Sequence, residues 1–220
     1  KSLSWREFII TRLIQSSGYS AILFVALIFF FLLREGLPTL GEVDASSLFN
    51  FRWYPIESYF GILPLLSGSL IVTLGAALIA VPFGIGTAIY ISEIAPRWMR
   101  EILKPLVELL GGLPSVVLGF LGILVLSPFL RVFLDLPTGL TALTGSLLLG
   151  GIAVPTVVSV AEDALDSVPR AYREGAWALG ATKWQTIWRV TLPAAKSGVL
   201  TAVMLGVGRA IGETMTVMMV

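Results

Sequence analysis

Residues 63–91 read LPLLSGSLIVTLGAALIAVPFGIGTAIYI and contain no Asp, Glu, Lys, Arg or His. Crossing the hydrocarbon core of a bilayer takes roughly 20 apolar residues in a helix, so this run spans with room for tilt. A helix of this length on a soluble domain would carry a polar face, and this one has none. The stretch predicts a transmembrane helix in a chain whose solvent is mostly lipid.

The rest of the chain agrees. Of its 220 residues 56% are hydrophobic and only 13% charged, with a mean hydropathy of +0.89; the surface of a soluble domain of this size needs more charge. Further stretches at 17–33, 105–129, 140–160 and 198–220 also qualify as spans, giving five in an all-α membrane bundle. Pro82, Pro114, Pro128 and Pro155 lie inside them beside many Gly. Neighbouring helices can satisfy the backbone groups such residues free. Kinked helices around a pathway and plain close packing both fit. The chain stops at Val220 without a polar flank, which predicts a further span beyond it.

Composition removes several chemistries. Without Cys there is no disulfide, thiolate metal site or Cys nucleophile, and without His the usual general base and metal ligand are missing. A net charge of +1 with no dense basic patch gives no sign of nucleic acid. Residues 1–16 form a separate, mixed segment in which Trp5, Phe8, Ile9 and Leu13 recur at helical spacing. It reads either as an amphipathic helix on the membrane surface or as a solvated leader, not as a cleavable signal.

Charge sets the orientation. With the N-terminus in the cytoplasm, eleven basic residues lie inside: Lys1, Arg6 and Arg12, then Arg97, Arg100 and Lys104, then Arg170, Arg173, Lys183, Arg189 and Lys196. Only Arg34, Arg52 and Arg131 lie outside. The outer segment also holds Trp53, Tyr54, Tyr59 and Phe60, either an interfacial belt or a docking site.

The loop after the fourth span, 166–185, reads DSVPRAYREGAWALGATKWQ. Ser167 can cap a helix with Pro169 in its first turn, and Gly180 can end it. Thr182 and Gln185 make a capping box for a second short helix, which Pro193 closes or kinks. A helix–turn–helix lying along the cytoplasmic face is expected.

These residues resemble the EAA motif of the permeases of ABC importers: Glu-Ala-Ala, three residues, Gly, nine residues, Ile, one residue, Leu-Pro. Here Glu174-Gly175-Ala176, Gly180 and Val190-Thr191-Leu192-Pro193 keep that spacing, with Gly175 for Ala and Val190 for Ile. The resemblance implies a type I ABC importer (MetI-like) bundle over 17–220. It makes residues 162–197 a coupling loop in which Glu174, Gly175, Ala176, Gly180, Leu192 and Pro193 meet an ATP-binding subunit. Small residues would let the helix sit deep in a cleft, while Glu174 and the Arg residues fix its register. A helical hairpin covering the bundle is the plainer alternative. No phosphate loop is present, since Ala181 stands where its Lys would be required. The resemblance therefore implies no enzyme site and no cofactor in this chain, with ATP and Mg bound by the partner.

Span five contains Gly208-Arg209-Ala210-Ile211-Gly212-Glu213-Thr214. A charge at that depth costs at least about 2.5 kcal/mol and should face protein or water. Arg209 and Glu213, four apart, are expected to share a helix face. Arg offers permanent charge and planar donors suited to phosphate oxygens. The run resembles that of phosphate permeases of the PstC type, as do Gly61-Ile62-Leu63-Pro64, Ile91-Ser92-Glu93 and 112–117. That resemblance implies inorganic phosphate as substrate, with Arg209, Glu213 and Thr214 along the pathway and Ser115 and Glu108 as weaker candidates. The other reading makes Arg209 and Glu213 a structural salt bridge. The implied partners are a homologous, PstA-like permease, two ATP-binding subunits and an extracytoplasmic phosphate-binding protein, in a bacterial or archaeal cytoplasmic membrane. A permease for another small solute, a secondary transporter or channel, and a membrane enzyme are the alternatives. Paired broken helices would favour the secondary transporter, and none is evident in the sequence.

Overall fold

The computed structural model describes residues 5–42, 48–57 and 59–219. Lys1 and Val220, which bound the predicted segments, lie outside them. The chain divides into two units, Lys1–Leu65 and Leu66–Val220.

In the first unit, α1 (Trp5–Glu42) is one continuous helix whose apolar stretch suits a span over Glu7–Pro38. It is hydrophobic all round, and its described side chains are exposed, as a helix facing lipid requires. A small hairpin follows, of β1 (Trp53–Tyr54) and β2 (Tyr59–Phe60), pairing Trp53 with Phe60 and Tyr54 with Tyr59. The Trp53 and Phe60 rings meet edge-on at 6.3 Å, so the outer aromatics brace one another. Gly61 closes the hairpin because a Cβ there would overlap the Asn50 carbonyl oxygen.

In the second unit, α2 (Leu63–Ile89) ends in a π-helical turn, Tyr90–Ile94. Extended Ala95 and Pro96 then redirect the chain into α3 (Arg97–Gly111). After a break at Gly112-Leu113-Pro114, α4 (Ser115–Leu121) runs through a π turn, Gly122–Leu126, into α5 (Ser127–Phe133). Next comes α6 (Ala142–Asp166), opened by Thr141, whose side chain accepts from the Thr144 N–H. The loop holds α7 (Arg170–Ala178), α8 (Lys183–Thr186), a π turn at Ile187–Thr191 and α9 (Leu192–Ala194). The last elements are α10 (Lys196–Gly212) and α11 (Met215–Met219).

Among the described residues four helices are long and apolar enough to cross a membrane, and the pair Lys183–Ala194 with Lys196–Gly212, bent by 74°, makes a fifth if it is one span. The bend falls just after Pro193, where Ala195 leaves helical geometry. Two predicted boundaries are wrong: the helix of the fifth span stops at Gly212, short of the expected 198–220, because Glu213 leaves helical geometry. The third span is Ser115–Phe133, not 105–129. Pro105 belongs to α3, an amphipathic helix with Arg97, Arg100, Glu101, Lys104 and Glu108 along one side. Hydropathy ran on across Gly112-Leu113-Pro114, but Pro114 lacks an N–H and disfavours helix at Leu113, so the chain turns there.

The core centres on α6. Its Leu149, Ile152, Ala153, Val157, Ala161 and Leu165 are buried at helical spacing. From α10, Val199, Ala202 and Ala210 pack against this face, and from α2, Ala76, Ala80 and Ala88 do so. Val157 is held between two glycines: a Cβ on Gly84 would lie 2.6 Å from its Cγ1, and one on Gly206 would overlap its Cγ2. Small residues bring the three helices close enough for van der Waals packing to hold them, where lipid offers no hydrophobic drive between helices.

Candidate functional site

Two groups of residues stand out. In the loop, α7 ends in a Schellman arrangement: the Gly180 N–H donates to the Trp177 carbonyl at 2.9 Å and the Ala181 N–H to the Ala176 carbonyl at 3.0 Å. Gly180 holds φ at +81°, which a side chain with a Cβ resists. The capping box forms in both directions, with the Thr182 N–H donating to Gln185 Oε1 at 2.9 Å and the Gln185 N–H to Thr182 Oγ1 at 3.3 Å. Ser167 does not cap α7. It is the C-terminal cap of α6 and donates back to the Ala164 carbonyl at 2.7 Å, leaving Pro169 to open α7.

Glu174 and Gly175 are exposed, Ala176 and Leu192 half-buried, and Pro193 exposed at the bend. Around them Tyr172, Trp177, Leu179, Trp184 and Trp188 are also exposed, Leu179 at 90%, and the rings of Trp184 and Trp188 meet edge-on at 5.7 Å. Exposed aromatics beside a polar helix suit a partner's surface.

Arg173 is different. Its side chain is largely buried, and its Nη2 pairs with Glu93 Oε1 at 2.7 Å. Its Nη1 donates to the Val168 carbonyl at 2.7 Å and Nη2 also to the Leu165 carbonyl at 2.9 Å. It therefore ties α7 to the end of α6 and to the π turn after α2. Two further links lie alongside. Ser92 donates to Asp166 at 2.7 Å while Arg100 reaches Asp166 and the carbonyls of Ile91 and Ser92. Lys104 Nζ pairs with Glu162 at 2.6 Å and Asp163 at 3.1 Å. Its hydrogen bond to Glu162 raises the Lys104 pKa above the ordinary lysine value, against a smaller opposing effect of burial. Between these links, Ser92, Glu93, Arg100, Asp166, Arg170, Arg173, Glu174 and Trp177 line a cavity of about 420 Å³.

The second group surrounds Arg209. Its Nη1 donates to Thr156 Oγ1 and its Nη2 to the Gly111 carbonyl, both at 2.8 Å. Glu213 does not share a helix face with it. The helix ends at Gly212, Glu213 takes extended geometry (φ −83°, ψ 101°), and its Oε1 accepts from the Thr216 N–H at 3.3 Å. No ion pair joins Arg209 and Glu213 among the described residues, which corrects the expected four-apart pairing. Thr216 Oγ1 donates to the Ser115 carbonyl at 3.1 Å, and Thr214 lies in the break before α11. Two helix breaks, at 112–114 and 213–214, are thus pinned together, by Arg209 on one side and Thr216 on the other. Glu108 is exposed on α3.

The model of the family described as "Binding-protein-dependent transport system inner membrane component" matches residues 80–220, a stretch that holds both groups. The chain belongs to this family. Among relatives of this inner membrane component, a "Probable ABC transporter permease protein YqgH" from Bacillus subtilis is 47% identical over 182 residues, covering 82% of this chain and 59% of the relative. A "Phosphate transport system permease protein PstC" from Xylella fastidiosa is 34% identical over 205 residues, covering 84% and 63%. Another PstC, from Pasteurella multocida, is 35% identical over 222 residues, covering 88% and 69%. The chain spans about three-fifths of the length of the first two. Membership decides the class, and among the described residues one bent helix pair, Lys183–Ala194 with Lys196–Gly212, is found.

Sequence reasoning singled out the loop and Arg209. It missed Thr156, Thr216, the Gly111 carbonyl and the clamp of Glu93, Arg100, Lys104, Glu162 and Asp166. The available signal was charge: Glu162, Asp163 and Asp166 close a span whose neighbouring loops are basic, an arrangement that invites ion pairs.

Proposed function

We propose that this chain is the membrane permease subunit of an ATP-driven importer that moves inorganic phosphate by alternating access. Arg209 carries the reading. Its permanent positive charge is half-buried within a span, with no carboxylate paired to it among the described residues, where two helix breaks meet. An unneutralised guanidinium at that depth is suited to an oxyanion in transit. The choice of phosphate is supported by the PstC relatives, whose names state it. Ser115, Glu213 and Thr214 stand at the same breaks and complete the pathway.

In this reading residues 162–197 dock on an ATP-binding subunit through Glu174, Gly175, Ala176, Gly180 and the exposed aromatics, while Leu192 and Pro193 set the bend into the last span. That partner binds ATP and Mg and does the hydrolysis. A second, PstA-like permease, a second ATP-binding subunit and an external phosphate-binding protein complete the assembly. The excess of basic residues in the predicted inner loops supports a cytoplasmic N-terminus.

The test is uptake of labelled phosphate into vesicles carrying the assembled complex. Arg209→Gln should abolish uptake while the complex still assembles, and Arg209→Lys should restore part of it, keeping charge without the planar fork. Because Glu213 is not the partner of Arg209, adding Glu213→Gln should not restore uptake. Wild-type uptake by Arg209→Gln, at equal amounts of complex, would reject the reading. The YqgH relative has no substrate in its name, and this supports a second reading, another oxyanion. Competition of phosphate uptake by excess sulfate or molybdate separates the two.

A further inference from the structure

Both terminal nitrogens of Arg209 are already engaged, one by the Thr156 hydroxyl and one by the Gly111 carbonyl. Gly111 is the last residue of α3, so its carbonyl is one that the helix itself cannot satisfy. Arg209 of α10 therefore caps α3 and at the same time holds α6 through Thr156. The groups are in contact, since a Cβ on Gly111 would sit at van der Waals distance from both, 3.4 Å from Pro155 Cβ and 4.0 Å from Arg209 Nη1. A bidentate grip on an oxyanion uses two parallel N–H donors. Each terminal nitrogen keeps a second N–H, so an anion that takes the pair on Nη1 and Nη2 competes with both present acceptors for the guanidinium.

We infer that Thr156 and the Gly111 carbonyl form a latch on Arg209 that the transported anion displaces, which makes Thr156 a positioning residue for the pathway. This rests on the reading above, that Arg209 meets the anion. The consequence is mechanical. Displacement releases the end of α3 from α6 and α10. The other part of α3 carries Arg100 and Lys104, which hold the ends of α2 and α6 beside the coupling loop. At 1.5 Å per residue α3 is about 22 Å long, so one helix, with Pro105 inside it, joins the anion site to the clamp at the loop. Anion arrival would thereby reach the surface where the ATP-binding subunit docks.

The experiment uses the complete complex in lipid vesicles with Thr156→Val and Thr156→Ser. Val keeps the volume and removes only the hydroxyl, while Ser keeps the hydroxyl. Two quantities are read per amount of assembled complex: ATP hydrolysis without phosphate, and the phosphate concentration giving half-maximal uptake. With the latch weakened, Thr156→Val should raise phosphate-independent hydrolysis and lower the half-maximal concentration, each by about tenfold, the order expected for one charge-assisted hydrogen bond. Thr156→Ser should behave as wild type. Wild-type values for Thr156→Val, or equal changes in Val and Ser, overturn the latch. Arg209→Gln separates the two ideas. If it loses uptake while Thr156→Val is unchanged, the latch fails and the anion-contact reading stands. If it keeps wild-type uptake, that reading fails and the latch falls with it.

Discussion

Arg173 and Glu93 form a buried ion pair, Nη2 to Oε1 at 2.7 Å, between α7 and the π turn that ends α2. The side chains are 13% and 8% exposed, so neither charge is well solvated, and each depends on the other. The remaining donors of Arg173 hold carbonyls at the end of α6. A displacement of α7 is therefore passed to α2 and α6 together.

Removing one partner strands the other. Arg173→Met should destabilise the subunit by about 3–5 kcal/mol, because Glu93 is left buried and unpaired. Arg173→Met with Glu93→Leu should recover much of that loss, as apolar replacements of buried pairs often do. Coupling should stay impaired in the double variant, since α7 is no longer tied to α2. Thermal midpoints in detergent, read beside phosphate uptake, check both halves. Full uptake by the double variant would show the pair to be structural only.

Gly180 is open on its side-chain side: a Cβ there would meet nothing within 4 Å, so only its φ of +81° makes it a glycine site. Gly180→Val should cost about 1–2 kcal/mol locally and unwind the end of α7, reducing recovery of the ATP-binding subunit on co-purification. Gly180→Asn should retain it, because Asn visits this conformation far more easily. Equal recovery with Val and wild type would remove the coupling role of this turn.

These two positions show what was legible in the chain. Gly180, Thr182 and Gln185 act through neighbours within a few residues, so their spacing alone announced the turn and the capping box. Three of the five spans followed from unbroken apolar runs, and the fifth was carried past the helix end at Gly212. The third went wrong at Pro105 because a hydropathy average does not register a three-residue break. Glu93 and Arg173 are eighty residues apart, and Arg209 and Gly111 ninety-eight. Such pairings depend on how helices pack, and no local pattern records that. Glu213 was misread for a related reason: four-residue spacing implies a shared face only if the helix continues, and it ends at Gly212.

Lys104 gives the clamp a defined pH response. Its pKa is raised in the folded chain, first by its hydrogen bond to Glu162, so its stabilising contribution is complete below the ordinary lysine value of about 10.4. It is lost only as pH climbs through the raised value. Lys104→Met should lower the thermal midpoint by a constant amount from pH 7 to 9, leaving buried Glu162 without its cation. The gap to wild type should narrow above roughly pH 10.4. A gap that already closes between pH 7 and 9 would mean the pair does not hold α3 to α6.

The close packing around Val157 makes a sharper test of how the helices are held. Gly206 and Gly208 lie on the same helix, two residues apart, yet a Cβ on Gly206 would overlap Val157 Cγ2 while one on Gly208 would meet nothing within 4 Å. Both substitutions to Ala raise helix propensity equally, by up to about 1 kcal/mol, so propensity cannot separate them. Gly206→Ala must push α10 away from α6 or force Val157 off its rotamer, at about 1–3 kcal/mol. Gly208→Ala should be neutral or stabilising. Because Val157 also fills the space at Gly84, Val157→Ala alone opens a cavity and should itself destabilise. Combined with Gly206→Ala it should do less harm than the two separate losses added together, since the new methyl occupies part of that cavity. Thermal midpoints of the four variants in one detergent give the coupling energy directly. Strict additivity would mean that α6 and α10 do not meet at this contact.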